Sequence, residues 1–281
     1  MIGKYIVLEG VNGSGKTSII NTTLKEAKKR GLRPIYLKAP SKKNEAACRD
    51  TRSQDKLTLA RVNAMDKAEI SIMAWVLASQ GYNVFQDRGS VSALVYNGID
   101  GIGFEKTTDL LAEEMQKILK NPKHFNALLI EAGEIPSAQG YDLINPQPVL
   151  KSEELRDELL VSLGAHGFIM PDLVVSPMPN TQVTKETFKR RIEAGEMPDA
   201  YEENPEKEMD MFFKAINHYS KIGGKFRIIN SLYGKRPEEY LPYPSDPDKV
   251  FNEACQFMAG AILDGMEKTE HVTNLRETLN L

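Results

Sequence analysis

Short apolar runs and longer helical stripes alternate along most of the chain. The first run, Tyr5-Ile6-Val7-Leu8, predicts a buried strand over about Lys4–Glu9. A helix-forming stretch follows from about Thr17 to Arg30, where Lys28, Lys29 and Arg30 suit a helix C-terminus and Gly31 suits its cap. Arg33–Lys38 predicts a second strand, and strand, helix and strand at this spacing predict a right-handed βαβ unit in a parallel sheet. Ala39 to about Gln54 is polar and reads as irregular, with Pro40 as a breaker. Between Asp55 and Gln80 the positions Leu57, Leu59, Val62, Met65, Ile70, Ile72, Met73 and Val76 give one or two helices a buried stripe, with Trp75 read as core. Tyr82–Gln86 predicts a third strand that ends at Asp87-Arg88. Ser90–Gly98 suits a helix start, Glu105–Lys120 a helix, Asn126–Glu131 a strand, and Ala132–Leu150 a turn-rich loop. Lys151–Leu163 reads as a short acidic helix and Pro171–Ser176 as a strand. Thr184–Glu193 and Glu206–Lys221 read as helices, Lys225–Asn230 as the final strand, and Asp248 to about Met266 as the last helix before a polar tail, 268–281.

The loop after the first strand changes the picture. Gly10-Val11-Asn12-Gly13-Ser14-Gly15-Lys16-Thr17 fits G-x-x-x-x-G-K-[ST], with a strand before it and a helix after it. Such a loop curls backbone N–H groups around phosphate oxygens, and the helix aims its positive end at the same anion. Gly10, Asn12, Gly13, Ser14, Gly15, Lys16, Thr17 and Ser18 are therefore the expected ATP-binding residues. Lys16 reaches the β- and γ-phosphates, and the Thr17 hydroxyl joins a Mg²⁺ shell. The fold class predicted is α/β, a P-loop NTPase-type parallel sheet flanked by helices on both faces, in a single domain covering 1–281.

In an open α/β sheet the carboxyl ends of the strands line the ligand crevice, which puts Asp87 and Arg88 on the P-loop's edge. Asp87 is a candidate for holding Mg²⁺, and Arg88 for gripping a phosphate bidentately. Asn126–Glu131, four apolar residues and a carboxylate, has the form of a Walker B strand and equally that of an ordinary buried strand with a polar end.

A formal net charge of −3 gives no global attraction to a polymeric nucleic acid, so basic residues act locally. Cys48 and Cys255 are far apart and, with four scattered histidines, predict neither a disulfide nor a zinc site. No apolar run approaches the ~18–20 residues that span a bilayer, so no membrane partner and a cytoplasmic location are expected.

Asp87-Arg88-Gly89-Ser90-Val91-Ser92-Ala93-Leu94-Val95-Tyr96-Asn97-Gly98 resembles, without a gap, the stretch D-R-Y-x-x-S-S-x-A-Y-Q-G of the thymidylate kinase family of nucleoside monophosphate kinases. Ile6-Val7-Leu8-Glu9-Gly10 is similar to that family's start, and Pro171-Asp172-Leu173 and Arg190–Glu196 to its fourth strand and lid. The resemblance implies ATP-dependent phosphorylation of a deoxynucleoside monophosphate, with Mg²⁺ as cofactor and catalytic roles for Lys16, Asp87, Arg88, Arg190 and Arg191. Thr17 and Asp87 would serve the metal. Asn12, Lys38, Lys67, Arg88, Ser92, Tyr96 and Asn97 would line the acceptor site, with Arg88 on the monophosphate and Tyr96 under the sugar. Gly13 stands where some members carry a P-loop arginine, which implies that Arg190 or Arg191 in a lid over about 184–205 closes on the phosphates. A cationic finger of this kind is worth ~10³ to 10⁵ in rate in related phosphoryl-transfer enzymes. The family's dimers form through helices like Asp55–Gln80, so a homodimer is the inherited expectation.

The departures cluster on base and sugar recognition. Asn12 replaces a carboxylate, Gly89 an aromatic and Asn97 a glutamine. Lys67 lies near the expected base-reading arginine and lacks its planar fork. Asp199-Ala200-Tyr201-Glu202 lacks the usual lid arginine, and Gly98 to Pro171 is longer than in the family, implying an insertion over about 121–167. The expected acceptor is dTMP, dUMP or a 5-modified deoxyuridylate, and these departures point to a shifted one, such as dUMP, a 5-modified deoxyuridylate or another deoxynucleotide. Two other readings stay open on the residues: a deoxynucleoside kinase, and a P-loop ATPase or regulatory protein with Glu131 as its Walker B carboxylate.

Overall fold

The computed structural model describes residues 3–50, 55–141, 152–163, 166–178, 189, 192–195, 204–230 and 247–267. Five parallel strands, β1 (Tyr5–Leu8), β2 (Pro34–Lys38), β3 (Asn83–Asp87), β4 (Leu173–Met178) and β5 (Phe226–Asn230), form one sheet in the order β2-β3-β1-β4-β5. Helices are α1 (Lys16–Lys29), α2 (Lys42–Asp50), α3 (Lys56–Ser79), α4 (Ser90–Ile99), α5 (Phe104–Lys120), α6 (Pro122–Ala138), α7 (Ser152–Ser162), α8 (Pro205–Lys221) and α9 (Pro247–Glu267). This is the predicted α/β class with a P-loop NTPase-like sheet.

All four residues of β1 are buried, as a strand covered on both faces requires. Tyr5 and Val7 join Ile35, Val84 and Val174 in a core with α3, α4, α5, α6, α7 and α8. Ile6 and Leu8 join Phe85, Leu173 and Val175 in a second core with α1 and α9, where Ile19, Ile20, Met258, Ile262 and Leu263 are buried. Alternation along one strand thus assigns a helical layer to each face.

Local signals start several helices. Asp55 accepts the Thr58 N–H at 3.1 Å ahead of α3, Asn121 the His124 N–H at 3.2 Å ahead of α6, and Asn204 the Lys207 N–H at 3.0 Å ahead of α8. In the last two a proline occupies the first turn, where its missing N–H costs nothing.

Two segments differ from the sequence reading. Residues 42–50 of the supposedly irregular stretch form α2. The expected strand at Asn126–Glu131 lies inside α6, and Glu131 is exposed. A short apolar run cannot by itself separate a buried strand from a helix, and here the Asn121-Pro122 start decides for the helix. With that, the Walker B reading of Glu131 fails.

The region over 121–167, where an insertion is expected, contributes to the same core. Phe125, Leu128 and Ala132 of α6 and Leu155 and Leu159 of α7 belong to the larger core. The Gln139 side chain just beyond α6 accepts the Tyr36 N–H at 2.9 Å and donates to the Tyr36 carbonyl at 2.8 Å. It thereby satisfies backbone groups of the edge strand β2 as another strand would. α3 packs against α4, α5 and α6, with Leu59, Ile70, Ile72, Met73 and Leu77 buried. The helix expected to carry a dimer is covered to that extent from within the chain. Among the described residues no helix is long and apolar enough to cross a membrane. Most of the lid stretch and the tail lie outside the described residues.

Candidate active site

The P-loop and Arg88 are 71 or more residues apart in the chain but neighbours in space, because β1 pairs with β3 and Leu8 stands opposite Asp87. The loop leaves β1 at Glu9, whose N–H continues the pairing to the Val175 carbonyl at 2.9 Å. Gly10 and Ser14 are buried, Asn12, Gly13, Gly15 and Ser18 half-buried, and Thr17 is exposed at the start of α1. Gly15 at that helix's N-cap has φ 76° and no side chain caps the first turn, so its amides are free of a local side-chain acceptor. Lys16 is only 6% exposed and donates to the carbonyls of Gly10 and Val11 at 2.8 and 2.7 Å, and to Ser14 Oγ at 3.3 Å. Burial, with the Arg88 charge nearby, pushes its ammonium down to about 7, against the pull of Asp87, Glu208 and Glu9.

Arg88 follows β3 in the left-handed region, φ 67°, an uncommon conformation for a side chain of its size. Its neighbours determine that conformation. The Arg88 N–H donates to the Leu8 carbonyl at 3.0 Å, and Gln86 Nε2 donates to the Arg88 carbonyl at 2.7 Å. Gln86 Oε1 is in turn held by the Tyr5 hydroxyl at 2.5 Å. The next N–H, of Gly89, donates to Glu9 Oε1 at 2.6 Å.

Glu9 is the residue that the motif reading did not assign. It is fully buried and accepts the N–H groups of Gly89 and Ser92, the second at 3.2 Å, together with the Ser92 hydroxyl. Its carboxylate therefore caps α4 from another strand, in keeping with the positive N-terminal end of that helix. Gly89 makes the approach possible: a Cβ there would lie 2.9 Å from Val7 Cγ1 and 3.3 Å from Glu9 Oε1. An aromatic side chain at this position would not fit this arrangement.

The Arg88 guanidinium is ringed by polar partners. Nη1 donates to the Tyr96 hydroxyl at 2.5 Å and lies 3.5 Å from Ser92 Oγ, while Nη2 donates to Asn12 Oδ1. Ser92 and Tyr96 share one face of α4 because a four-residue step returns to it, and Arg88, just ahead of the helix, reaches both. These bonds use Nη1 and Nη2, and no hydrogen bond from Nε–H to another described residue is formed. Nε–H and one N–H of Nη2 therefore have no partner among the described residues, which leaves two donors for phosphate oxygens. Burial opposes the Arg88 charge, but Tyr96, Asp87, Glu9 and Glu208 hold its pKa above the ordinary value.

Glu208, on α8, was also missed by the sequence reading. It accepts the Asn12 N–H on both carboxylate oxygens, at 3.0 and 3.2 Å, and the Tyr96 O–H at 3.1 Å. Burial pushes its pKa up, opposed by the Asn12 N–H, Arg88, Lys16 and Tyr96. Asp87 is 4% exposed, and its Oδ1 is buried without a hydrogen-bond partner. Tyr36 borders this carboxylate, and burial together with the Asp87 charge pushes its phenol up to about 12.

The other expected acceptor residues are placed differently. Asn97 is buried and donates to Thr107 Oγ1 at 3.3 Å, which joins α4 to α5. Lys38 is exposed at the end of β2, in register with Asp87. Lys67 is buried on α3. Its neighbours Asp66 and Glu69 face α2 and α6: Asp66 Oδ1 accepts from the Ser41 hydroxyl at 2.7 Å and from Asn44 Nδ2 at 2.9 Å, and Glu69 Oε1 pairs with His124 Nε2 at 2.7 Å. Arg190 and Arg191 lie outside the described residues.

Among the described residues no group of three or more His, Cys, Asp or Glu side chains forms a metal cage. The set fits Mg²⁺ all the same, since that ion takes one or two protein oxygens and completes its shell with phosphates and water. The unpartnered Asp87 Oδ1 beside the P-loop is the acceptor such an ion would need. In comparisons with known proteins, no family model matches the chain and no curated sequence matches it.

Proposed function

We propose that the chain transfers the terminal phosphoryl group of ATP to a deoxynucleoside 5′-monophosphate, such as dTMP, dUMP or a 5-modified deoxyuridylate, in the manner of the thymidylate kinase family. The observation that carries this reading is the Arg88 guanidinium beside the P-loop, joined to it through Asn12 and keeping donors that no described residue engages. A P-loop alone serves one polyphosphate. A second fixed cation next to it serves a second phosphate, which is what transfer between two phosphorylated molecules needs.

In this mechanism Lys16 leaves the carbonyls of Gly10 and Val11 for the donor's phosphate oxygens. Arg88 holds the acceptor's monophosphate with an oxygen facing the γ-phosphorus. That oxygen forms the new P–O bond as the bond to the β-phosphate oxygen breaks, and ADP departs with the electron pair. Thr17 and Asp87 would hold Mg²⁺, which supplies charge neutralisation on the donor phosphates. Arg190 or Arg191 would close over the transferring group.

Purified protein with Mg²⁺-ATP and a panel of deoxynucleosides and their monophosphates should yield a diphosphate from at least one monophosphate, resolved by chromatography. Phosphorylation of nucleosides only, or ADP without any phosphorylated acceptor, would overturn the reading.

ATP binding should also be linked to protons. With Lys16 at about 7 in the free protein, its ammonium is lost as the pH rises through 7. Phosphate oxygens favour the charged form, so binding at about pH 8 takes up close to one proton, and affinity falls up to about tenfold per pH unit above 7. Calorimetry in buffers of different ionisation enthalpy measures this uptake, and Lys16→Ala should abolish it.

A further inference from the structure

Glu208 belongs to no phosphate-binding spacing, lies 192 residues beyond Lys16, and is 2% exposed. It comes from the first turn of α8, which packs closely on α4. Gly98 permits that approach, since a Cβ there would lie 2.7 Å from Met211 Sδ. The carboxylate closes a ring with three other residues. Glu208 accepts from the Asn12 N–H and the Tyr96 O–H, Tyr96 oxygen accepts from Arg88 Nη1, and Arg88 Nη2 donates to Asn12 Oδ1.

The direction of each bond follows from chemistry. An ionised carboxylate only accepts, so the Tyr96 proton points at Glu208 and the hydroxyl oxygen offers its lone pairs to the guanidinium. Burial also pushes the Tyr96 phenol above its ordinary range, which keeps that proton in place. We propose that Glu208 is a positioning residue for the acceptor phosphate: by setting the polarity of the Tyr96 hydroxyl and the seat of Asn12, it holds Arg88 with donors left over for the anion. This rests on the function proposed above, in which Arg88 grips the acceptor.

Glu208→Gln preserves shape and turns one of the two accepting oxygens into a donor. Either its amide N–H₂ confronts the Asn12 N–H, or it donates to Tyr96 and turns the phenolic proton toward Arg88. Both outcomes set donor against donor. Glu208→Asp keeps the polarity one methylene short, and Tyr96→Phe removes the link while keeping the ring in place.

The test follows the Arg88 Nε–H resonance of ¹⁵N-labelled protein, assigned by its loss in Arg88→Lys, during titration with inorganic phosphate. Steady-state kinetics accompany it. In Glu208→Gln the phosphate concentration needed should rise about tenfold, and the acceptor KM by about tenfold or more, with the ATP KM within about twofold. Tyr96→Phe should move in the same direction, and Glu208→Asp should recover part of the loss. Equal phosphate titrations in wild type, Glu208→Gln and Tyr96→Phe would overturn the assignment of Glu208 while leaving Arg88 as the phosphate site. An Arg88 resonance that ignores phosphate in the wild type would overturn both.

Discussion

Arg88→Ala should reduce phosphoryl transfer by about 10³-fold or more while leaving the protein folded. The guanidinium is the only described cation with its donors fixed on Asn12 and Tyr96 beside the P-loop, so no neighbouring side chain inherits its edge. Its removal leaves Asn12 and Tyr96, which are half-buried and within reach of water, and this limits the cost to stability. Arg88→Gly provides the contrast. At φ 67° a side chain carries about 1 kcal/mol of backbone strain that glycine does not. The Gly variant should therefore be as inactive as the Ala variant and melt at a higher temperature. Activity in Arg88→Ala above about a tenth of wild type would remove Arg88 from the acceptor site. A Gly variant that melts below the Ala variant would remove the strain argument.

The largest effect on stability should come from Glu9→Ala. It strands the N–H groups of Gly89 and Ser92 and the Ser92 hydroxyl in a region with no solvent access at Glu9. Each buried donor left without an acceptor costs about 1–3 kcal/mol, so the variant should lose about 3–5 kcal/mol, a large part of the 5–15 kcal/mol that holds an ordinary domain together. Urea unfolding measures this. Glu9→Gln, which keeps one accepting oxygen, should lose about half as much. Because α4 carries Ser92 and Tyr96, either variant should also lower kcat/KM at temperatures where it remains folded. A midpoint unchanged in Glu9→Ala would mean that α4 is capped by other means.

Much of the site was readable before any coordinates. The P-loop spacing, a strand ahead of it and a helix behind it located Lys16 and Thr17. Asp87-Arg88 was legible from its place at a strand end, and the resemblance implied Ser92 and Tyr96, both of which the structure brings to the guanidinium. The failures have physical causes. Asn126–Glu131 has the apolar content of a strand, but its helix is set by Asn121 and Pro122, which lie outside that run. Residues 42–50 are polar enough to read as loop, and the contacts that tie them to α3, Asn44 donating to Asp66 and Glu69, are distant in sequence.

By itself the sequence determined the period of each strand, the two-faced burial of the sheet and the phosphate loop, since these depend on neighbours within a few residues. Only the tertiary structure decided which carboxylates serve the site. Glu9 ends a strand as many acidic residues do, and becomes the cap of α4 only because β1 pairs with β3. Glu206 and Glu208 share the same first helical turn and the same attraction to its positive end, and nothing local distinguishes them. Packing of α8 against α4 buries Glu208 between Asn12 and Tyr96, where a charge with no local partner becomes part of a ring assembled from four separate elements.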